Sequence, residues 1–585
     1  MKNIHSIPRM AVSLLTVVFA LMVLTSPLGA GVKVEGSRIL VETSTLSAVF
    51  EQGVLVSLVR KSDGKVLVRA SAEKQTSVYL VYPGGESVPL GTEVGDRFTL
   101  HRINDHRAEI RVEAYDGDGV MTVADDPDSG DLIVELGAYS SRPGVRSCRW
   151  LLTGIDSDLE LVAPFYQGIK EPLENPLIRD TFWYWPHRWE AGFAILQGKA
   201  GGFWVHCRDT RYLYKALKVG VPGNARCLGF DTDAYGPLDD NLSAGGLAWR
   251  VNVYEGDWKV PASSYRDWLA EAYGLSAQAL PPWAEDVTLA LSWCPIDPAV
   301  LDALAERISP HKVLLHVSAF RRDRNNYPDY TPSLEGAAFI KKAQEMGFRI
   351  MPHVAAIDID PQHPAYNFIR DFQYRELENK KIVGWTWRGE GPVPESHATR
   401  IRLREEDRRV NIRLHAGLSM WRSILSESVR KLDDELDLKM LFLDVTMNTH
   451  NAHNALVENT TATEGMKKLQ QTMKCLGDGL LLGGEGRNEI TMQDQIFSQV
   501  HLFQSWFENI EGLEELKPIQ LGKFLFGPWS LSFGYSRLSG RTDWEQFRMK
   551  RQVEMGAIPT ITIRTAEEIT NPNPGVKLML ELAGK

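Results

Sequence analysis

Asp444 closes the run Lys-Met-Leu-Phe-Leu-Asp-Val-Thr (439–446), and Glu485 sits near the end of Leu-Leu-Leu-Gly-Gly-Glu-Gly-Arg-Asn-Glu (480–489). Each carboxyl stands where a short apolar run stops. Runs of this length, bounded by Gly and polar residues, read as parallel strands buried on both faces. Between them, Thr463–Leu476 (TEGMKKLQQTMKCL) has helical spacing, so the unit reads strand–helix–strand. An acid just past a strand of a (β/α)8 barrel points into the site on the C-terminal face. Two such acids from adjacent strands can divide the work of cutting a glycosidic bond, one as nucleophile or base and the other as acid. The plainer reading of either one alone is a helix cap or a partner for a nearby Arg. It is the pair that favours chemistry.

In this reading Asp444 stays ionised and attacks, or steadies, an anomeric carbon. Glu485 lies in the turn Gly483-Gly484-Glu485-Gly486, where glycine lets the backbone approach a ligand closely. Its acid role needs a raised pKa, which burial supplies. Glu489 is a rival for that role, or else the start of the next helix, where its charge meets the helix dipole. Arg487 is a candidate to orient a carboxylate or a substrate hydroxyl, with a strand-end salt bridge as the alternative.

Sugar sites also need flat apolar surfaces. Of the 16 Trp, Trp293, Trp385, Trp387 and Trp529 fall in the expected barrel loops. Alternation in Trp385-Thr386-Trp387 places both indoles on one face, either to close over a glycan or to pack on the barrel. His353 and Asp358, after the third expected strand, are candidate hydroxyl ligands. So is Asn448, in a polar loop with His450, Asn451 and His453. Asp358-Ile359-Asp360 with His363 or His353 has the residue types of a metal site, but no second cluster accompanies it, so no metal or other cofactor is expected. No Gly-x-Ser-x-Gly follows a strand and no Cys occupies a nucleophile turn, which sets a catalytic triad aside.

The elements that must position these residues change character along the chain. From Gly31 to Tyr254 short alternating segments are broken by Gly, Asp and Asn, as in AEIRVEAY (108–115) and GGFWVHCR (201–208), and predict an all-β sandwich. Over residues 258–282, Tyr265, Trp268, Leu269 and Tyr273 share one helical face before Leu280-Pro281-Pro282 breaks the chain, which predicts a helical linker between domains. After Pro282 the rhythm is strand, loop, helix. Strands are expected at 286–293, 312–320, 348–356, 440–447, 480–486, 524–532 and 558–563. Helices are expected over Asp297–Ile308, Leu334–Met346, Tyr366–Arg375 and Ser419–Leu436, with a long insertion around 381–389. Gly347, Gly479 and Gly556 fall where helix C-caps belong. The fold class is therefore multidomain β then α/β: an N-terminal β-sandwich (31–257), a linker (258–282) and a (β/α)8 TIM-type barrel (283–585), with one barrel unit not visible in the pattern. A doubly wound sheet is the competitor, but no Gly-x-Gly-x-x-Gly follows a strand.

At 585 residues, 43% hydrophobic and 24% charged, the chain is long enough for several globular cores. Met1–Ala30 has Lys2 and Arg9 ahead of the apolar stretch Met10–Leu24, then Ser26, Pro27, Gly29 and Ala30. This is the pattern of an export signal and predicts a secreted or periplasmic protein, with an uncleaved membrane anchor as the alternative because Leu28 suits a cleavage site poorly. No later stretch reaches the roughly 20 apolar residues a spanning helix needs. The formal net charge is −10, and two units more negative without Lys2 and Arg9. This argues against a nucleic-acid partner and is compatible with a glycan or glycoconjugate. Five scattered cysteines, without Cys-x-x-Cys, exclude a disulfide framework. A single Cys207–Cys227 bridge is conceivable, and Cys294 and Cys475 read as buried small apolar residues.

A sandwich opening on SAVFEQGVLVSLVRKSDGKVL (47–67), followed by a barrel bearing Asp444 and then Glu485, resembles the mutarotase-like sandwich and barrel of the α-N-acetylgalactosaminidases of glycoside hydrolase families 101 and 129, and their bacterial relatives. The resemblance spans residues 35–575. It implies a retaining glycosidase with Asp444 as nucleophile and Glu485 as acid/base, acting on an α-N-acetylgalactosaminide or an α-galactoside. Trp385 and Trp387 then match an aromatic lid. The C-terminal β-domain of those enzymes is missing here, and the related α-galactosidase barrels commonly pair the Asp with a second Asp. The alternatives are a non-catalytic carbohydrate-binding protein on the same scaffold, or a metal-dependent hydrolase using Asp358, Asp360 and His353.

Overall fold

The computed structural model describes residues 30–584 apart from 74, 94, 222, 277–279, 324–325, 387–409, 478, 503–511 and 513–514. The expected leader and Trp387 fall outside them, and of Trp385 only the backbone is described.

From Gly31 to Glu255 the strands pair antiparallel in sheets of five, nine and six. Alternation fixes their faces: along Leu132–Tyr139 every second residue, from Leu132 to Ala138, is buried. The core lies between sheets. Trp249 of the nine-stranded sheet meets Phe230 of the six-stranded sheet at 5.1 Å between ring centroids, and Phe230 in turn lies 5.5 Å from Trp150. This is the expected β-sandwich. Helix α1 (Lys259–Tyr273) follows, ended by Gly274 in the left-handed conformation. Tyr265 and Leu269 of α1 are buried, packed among Phe193 and Trp204 of the sandwich and Leu521 and Phe526 of the barrel.

Eight parallel strands then form the barrel: β1 (Leu289–Leu291), β2 (Val313–Val317), β3 (Arg349–Ala355), β4 (Met440–Asp444), β5 (Leu481–Glu485), β6 (Gln495–Val500), β7 (Leu531–Gly534) and β8 (Thr560–Ile561). They pair in sequence from β1 to β7. β8 returns to β1 through Ala290 opposite Thr560 and meets β7 at the single bridge Phe533–Ile558. Leu314, Met351, Phe442, Phe497 and Phe533 fill the interior, which is a packed core and not a pore. Outer helices begin on side-chain caps. Asp297, Ser333, Thr461, Thr542 and Asn573 each accept a backbone N–H of the first turn.

Three local expectations are corrected. Residues 524–532 do not form one strand: Leu521–Phe526 is helical and β7 starts at Leu531. The helix expected over Tyr366–Arg375 is one turn, Tyr366–Ile369, followed by a 3-10 turn. The unit hidden in the pattern is β6, which follows β5 after nine residues containing only the 3-10 turn Thr491–Gln493. Where an outer helix belongs, the sandwich and α1 cover the barrel instead. Ile490 packs into the sandwich core, and Met492 packs with Tyr265 of α1. All five cysteines are free, so Cys207 and Cys227 are not bridged, and Cys475 at the end of its helix is exposed. No helix among the described residues is long and apolar enough to cross a membrane.

Candidate active site

Strand register brings the two carboxylates together. Phe442 pairs with Gly483 and Leu443 with Gly484, so Asp444 and Glu485 are the next neighbours at the C-terminal ends of β4 and β5, on strands about 4.8 Å apart. Both have the parity of inward-facing Phe442. Side-chain exposure is 16% for Asp444 and 9% for Glu485, so both sit deep in the mouth but keep some access.

The glycines before Glu485 serve packing. A Cβ on Gly483 would collide with Met351 Sδ, and one on Gly484 with the Gln495 amide. The strain lies at Val445, whose φ of 66° puts a β-branched residue in the left-handed region, at a cost of about 1–2 kcal/mol. That conformation turns its N–H onto Glu485 Oε2 at 3.0 Å. The other oxygen, Oε1, lies 2.7 Å from His501 Nε2, just beyond β6. His501 stacks on Tyr535 beyond β7 at 3.9 Å, and Tyr535 meets the edge of Trp293 at 5.7 Å, giving the mouth an aromatic wall.

Asp444 is far less supported. Its Oδ1 is buried without a hydrogen-bond partner, and Oδ2 lies 3.6 Å from His353 Nε2. Burial first, then the charges of Glu485 and Asp358, push its pKa well above the usual carboxylate range. Burial pushes Glu485 the same way, but His501, Arg413 and the Val445 N–H outweigh it and hold Glu485 below its ordinary value. The two carboxyls are thus shifted in opposite directions, because the hydrogen-bond donors converge on Glu485.

Trp293, His353, Asp358 and Asn448 all gather here. Asp358 is fully buried, on a short strand (Asp358–Ile359) paired with Val410–Arg413, and its Oδ1 lies 3.8 Å from Arg413 Nε. Asn448 Oδ1 accepts from Arg413 Nη1 at 3.3 Å. The Trp385 backbone pairs with Asn411 on the far side of that strand. Asp358, Asp360 and His353 do not assemble into a metal-binding group among the described residues.

Arg487 borders the crevice between His501 and the sandwich, and Trp529 lies elsewhere. Arg487 turns away into the domain seam, donating through Nε to Gln167 at 2.6 Å and through Nη1 to the Ser530 carbonyl at 3.0 Å. Trp529 precedes β7, packs beside Phe526 and donates to the Ser276 carbonyl at 3.0 Å, at the opposite end of the barrel. Glu489 starts no helix. It is buried in the seam and accepts from Tyr265 at 2.5 Å and Gly192 N at 2.6 Å.

His316, His501, Gln499, Arg413 and Tyr535 were missed from sequence. Gln499 belongs to the strand that the pattern concealed and His501 follows its end; QIFSQV does not alternate, because every residue of that strand is buried. The sandwich also reaches the mouth: Tyr166, Gln167 and His187 line a narrow crevice with Met447, Asn488 and His501.

A β-sandwich joined to a (β/α)8 barrel, with two interacting carboxylates at the barrel mouth, is thus the class of molecule. The family described as "Domain of unknown function (DUF6259)" matches residues 247–536, just under half of the chain. No curated protein matches it in sequence. Among solved structures, the alpha-N-acetylgalactosaminidase NagBb from Bifidobacterium bifidum in its Gal-NHAc-DNJ complex is similar with a TM-score of 0.63 at 12% identity, over 94% of this chain and 92% of that one. Its GalNAc complex gives 0.62 at 12%, over 95% and 93%. The GH36 alpha-galactosidase AgaB from Geobacillus stearothermophilus gives 0.46 at 10%, over 94% and 85%. At these identities the NagBb likeness is one of fold, and it spans both domains as the sequence resemblance implies.

Proposed function

We propose that this protein is an exported glycoside hydrolase that cuts an α-glycoside with retention, Asp444 being the nucleophile and Glu485 the acid/base. The observation that carries the reading is the register that sets Asp444 beside Glu485 at the barrel mouth, close enough for the charge of Glu485 to raise the pKa of Asp444. An Asp444 oxygen bonds to C1 as the C1–O bond to the leaving group breaks, and Glu485 gives its proton to the departing oxygen. Water then attacks C1, Glu485 takes a proton from it, and the ester bond to Asp444 opens. This chemistry needs carboxyl groups about 5–5.5 Å apart and a proton on Glu485 when the sugar binds. The NagBb complexes with GalNAc and Gal-NHAc-DNJ make aryl α-N-acetylgalactosaminide the first substrate to try, and α-galactoside the second.

The opposite pKa shifts, Asp444 raised and Glu485 lowered by His501, Arg413 and the Val445 N–H, favour a second reading with the roles exchanged. Azide rescue separates the two. If Asp444 is the nucleophile, Asp444→Ala with azide yields the β-glycosyl azide and Glu485→Ala yields the α-azide. Interchanged products mean interchanged roles. Sugar binding without any turnover identifies a carbohydrate-binding protein instead.

A further inference from the structure

Behind Asp444 two buried imidazoles form a chain that leads back to a backbone amide. Trp293, just past β1, has a φ of 59°, a left-handed conformation uncommon for a residue of its size. Its N–H donates to His316 Nδ1 at 3.3 Å. A backbone N–H can only donate, so His316 Nδ1 must present a lone pair. The Gln499 amide nitrogen, 3.4 Å from the same atom, agrees with that. Burial pushes His316 down to about 3, so the ring is neutral and its one proton sits on Nε2. His316 Nε2 lies 3.0 Å from His353 Nδ1, which must accept. Burial, then His316 and Arg321, depress His353 too, so its proton sits on Nε2, the atom facing Asp444 Oδ2 at 3.6 Å. Neither ring is free to turn: Phe442 packs 4.1 Å from His316 and 5.6 Å from His353.

We propose that His316 and His353 are positioning residues, a tautomer-locked pair that carries the donor character of the Trp293 amide to the Asp444 carboxylate. The inference rests on the reading of Asp444 as a reacting carboxylate. A buried carboxylate that must be ionised to attack gains from an N–H aimed at one oxygen, which leaves the other oxygen for C1. The opposite tautomer would point a lone pair at Asp444 and repel the charge. A single imidazole can adopt either tautomer, whereas two in series from a fixed amide can adopt only one. His316 thus acts at one remove, without touching the substrate.

The test uses the full chain labelled with 15N-histidine, His316 and His353 being assigned by loss of their signals in single variants. Both rings must show a protonated Nε2 and an unprotonated Nδ1 at neutral pH; a protonated Nδ1 on either overturns the proposal whatever the enzyme does. His353→Gln keeps an N–H near the Nε2 position, and His353→Met keeps bulk without a donor. With an activated aryl glycoside, His353→Met is expected to lose about 10- to 100-fold in kcat with little change in KM, and His353→Gln to recover most of it. Equal kcat values for the two variants overturn the positioning role. If the parent enzyme turns over no glycoside, the proposed function fails instead, and the titration midpoint of the Asp444 carboxyl, followed by 13C, decides the role. It must rise in His353→Met and not in His353→Gln, while Glu485, Asp358, Arg413, Arg321, Tyr327 and Tyr535 around it stay unchanged. A midpoint unmoved by either variant sinks the role.

Discussion

The two ends of this barrel are built on opposite plans. At the C-terminal mouth, polar groups at the ends of β1, β2, β3, β5 and β6 are bonded in pairs: Gln499 to Ser292 at 2.6 Å, His316 to His353, and His501 to Glu485. The described space there is narrow, a crevice between His501 and the sandwich. At the N-terminal end, between α1 and the starts of β1, β7 and β8, lies a cavity of about 1530 Å³ lined by residues such as Trp258, Arg266, Pro282, Lys523, Phe524 and Pro559. That end has more room, and the carboxylates Asp257 and Glu285 stand on its wall. The proposed chemistry is placed by converging charge and not by volume.

The comparison is broken most directly at the carboxylates. Asp444→Ala and Glu485→Gln are each expected to lower kcat on a glycoside with a poor leaving group by about 10³-fold or more, with an unchanged far-UV spectrum. Substantial turnover in either variant removes the mouth from the mechanism. His501→Ala takes away the closest partner of Glu485 and is expected to cost about 10- to 100-fold, read as kcat/KM across leaving groups of graded acidity.

The pH profile sharpens the contrast between the two acids. A nucleophile must be ionised, and its raised pKa means that activity is lost as pH falls through that value, so the acid limb lies higher than an ordinary carboxylate's. Glu485→Gln removes one of the charges that raise Asp444. In that variant, assayed with a leaving group that needs no acid, the acid limb should move to lower pH, and an unmoved limb excludes the coupling. At the other end, Trp529→Ala should cost about 3–5 kcal/mol of stability while kcat per folded molecule stays at the parental value. Lys523→Glu in the cavity wall should change neither. A fall in kcat for either variant erases the distinction between the two ends.

Asp444 and Glu485 were legible because a carboxylate ending a wholly apolar run is conspicuous, and the alternating sandwich was legible for the same reason of pattern. The partners that set their protonation were not. A lone His on an inward strand position, such as His316, leaves no spacing signature, and whether it faces a carboxylate is decided by register between strands distant in sequence. Trp529 misled because position near an expected strand does not reveal which end of it a side chain occupies. β6 was hidden because the pattern sought a helix before it, and that helix has been replaced by tertiary contact.

That replacement sets a limit on how the molecule can be divided. The fifth outer position of the barrel is filled by another part of the chain: Ile490 nests in the sandwich core, and Glu489 is held by Tyr265, Gly192 and Trp185. A fragment beginning at Pro282 would carry both Asp444 and Glu485, yet it would leave an apolar gash in its wall and a buried carboxylate stripped of its donors, directly behind the strand that bears Glu485. The upstream half is therefore less an accessory module than the missing stave of the cask.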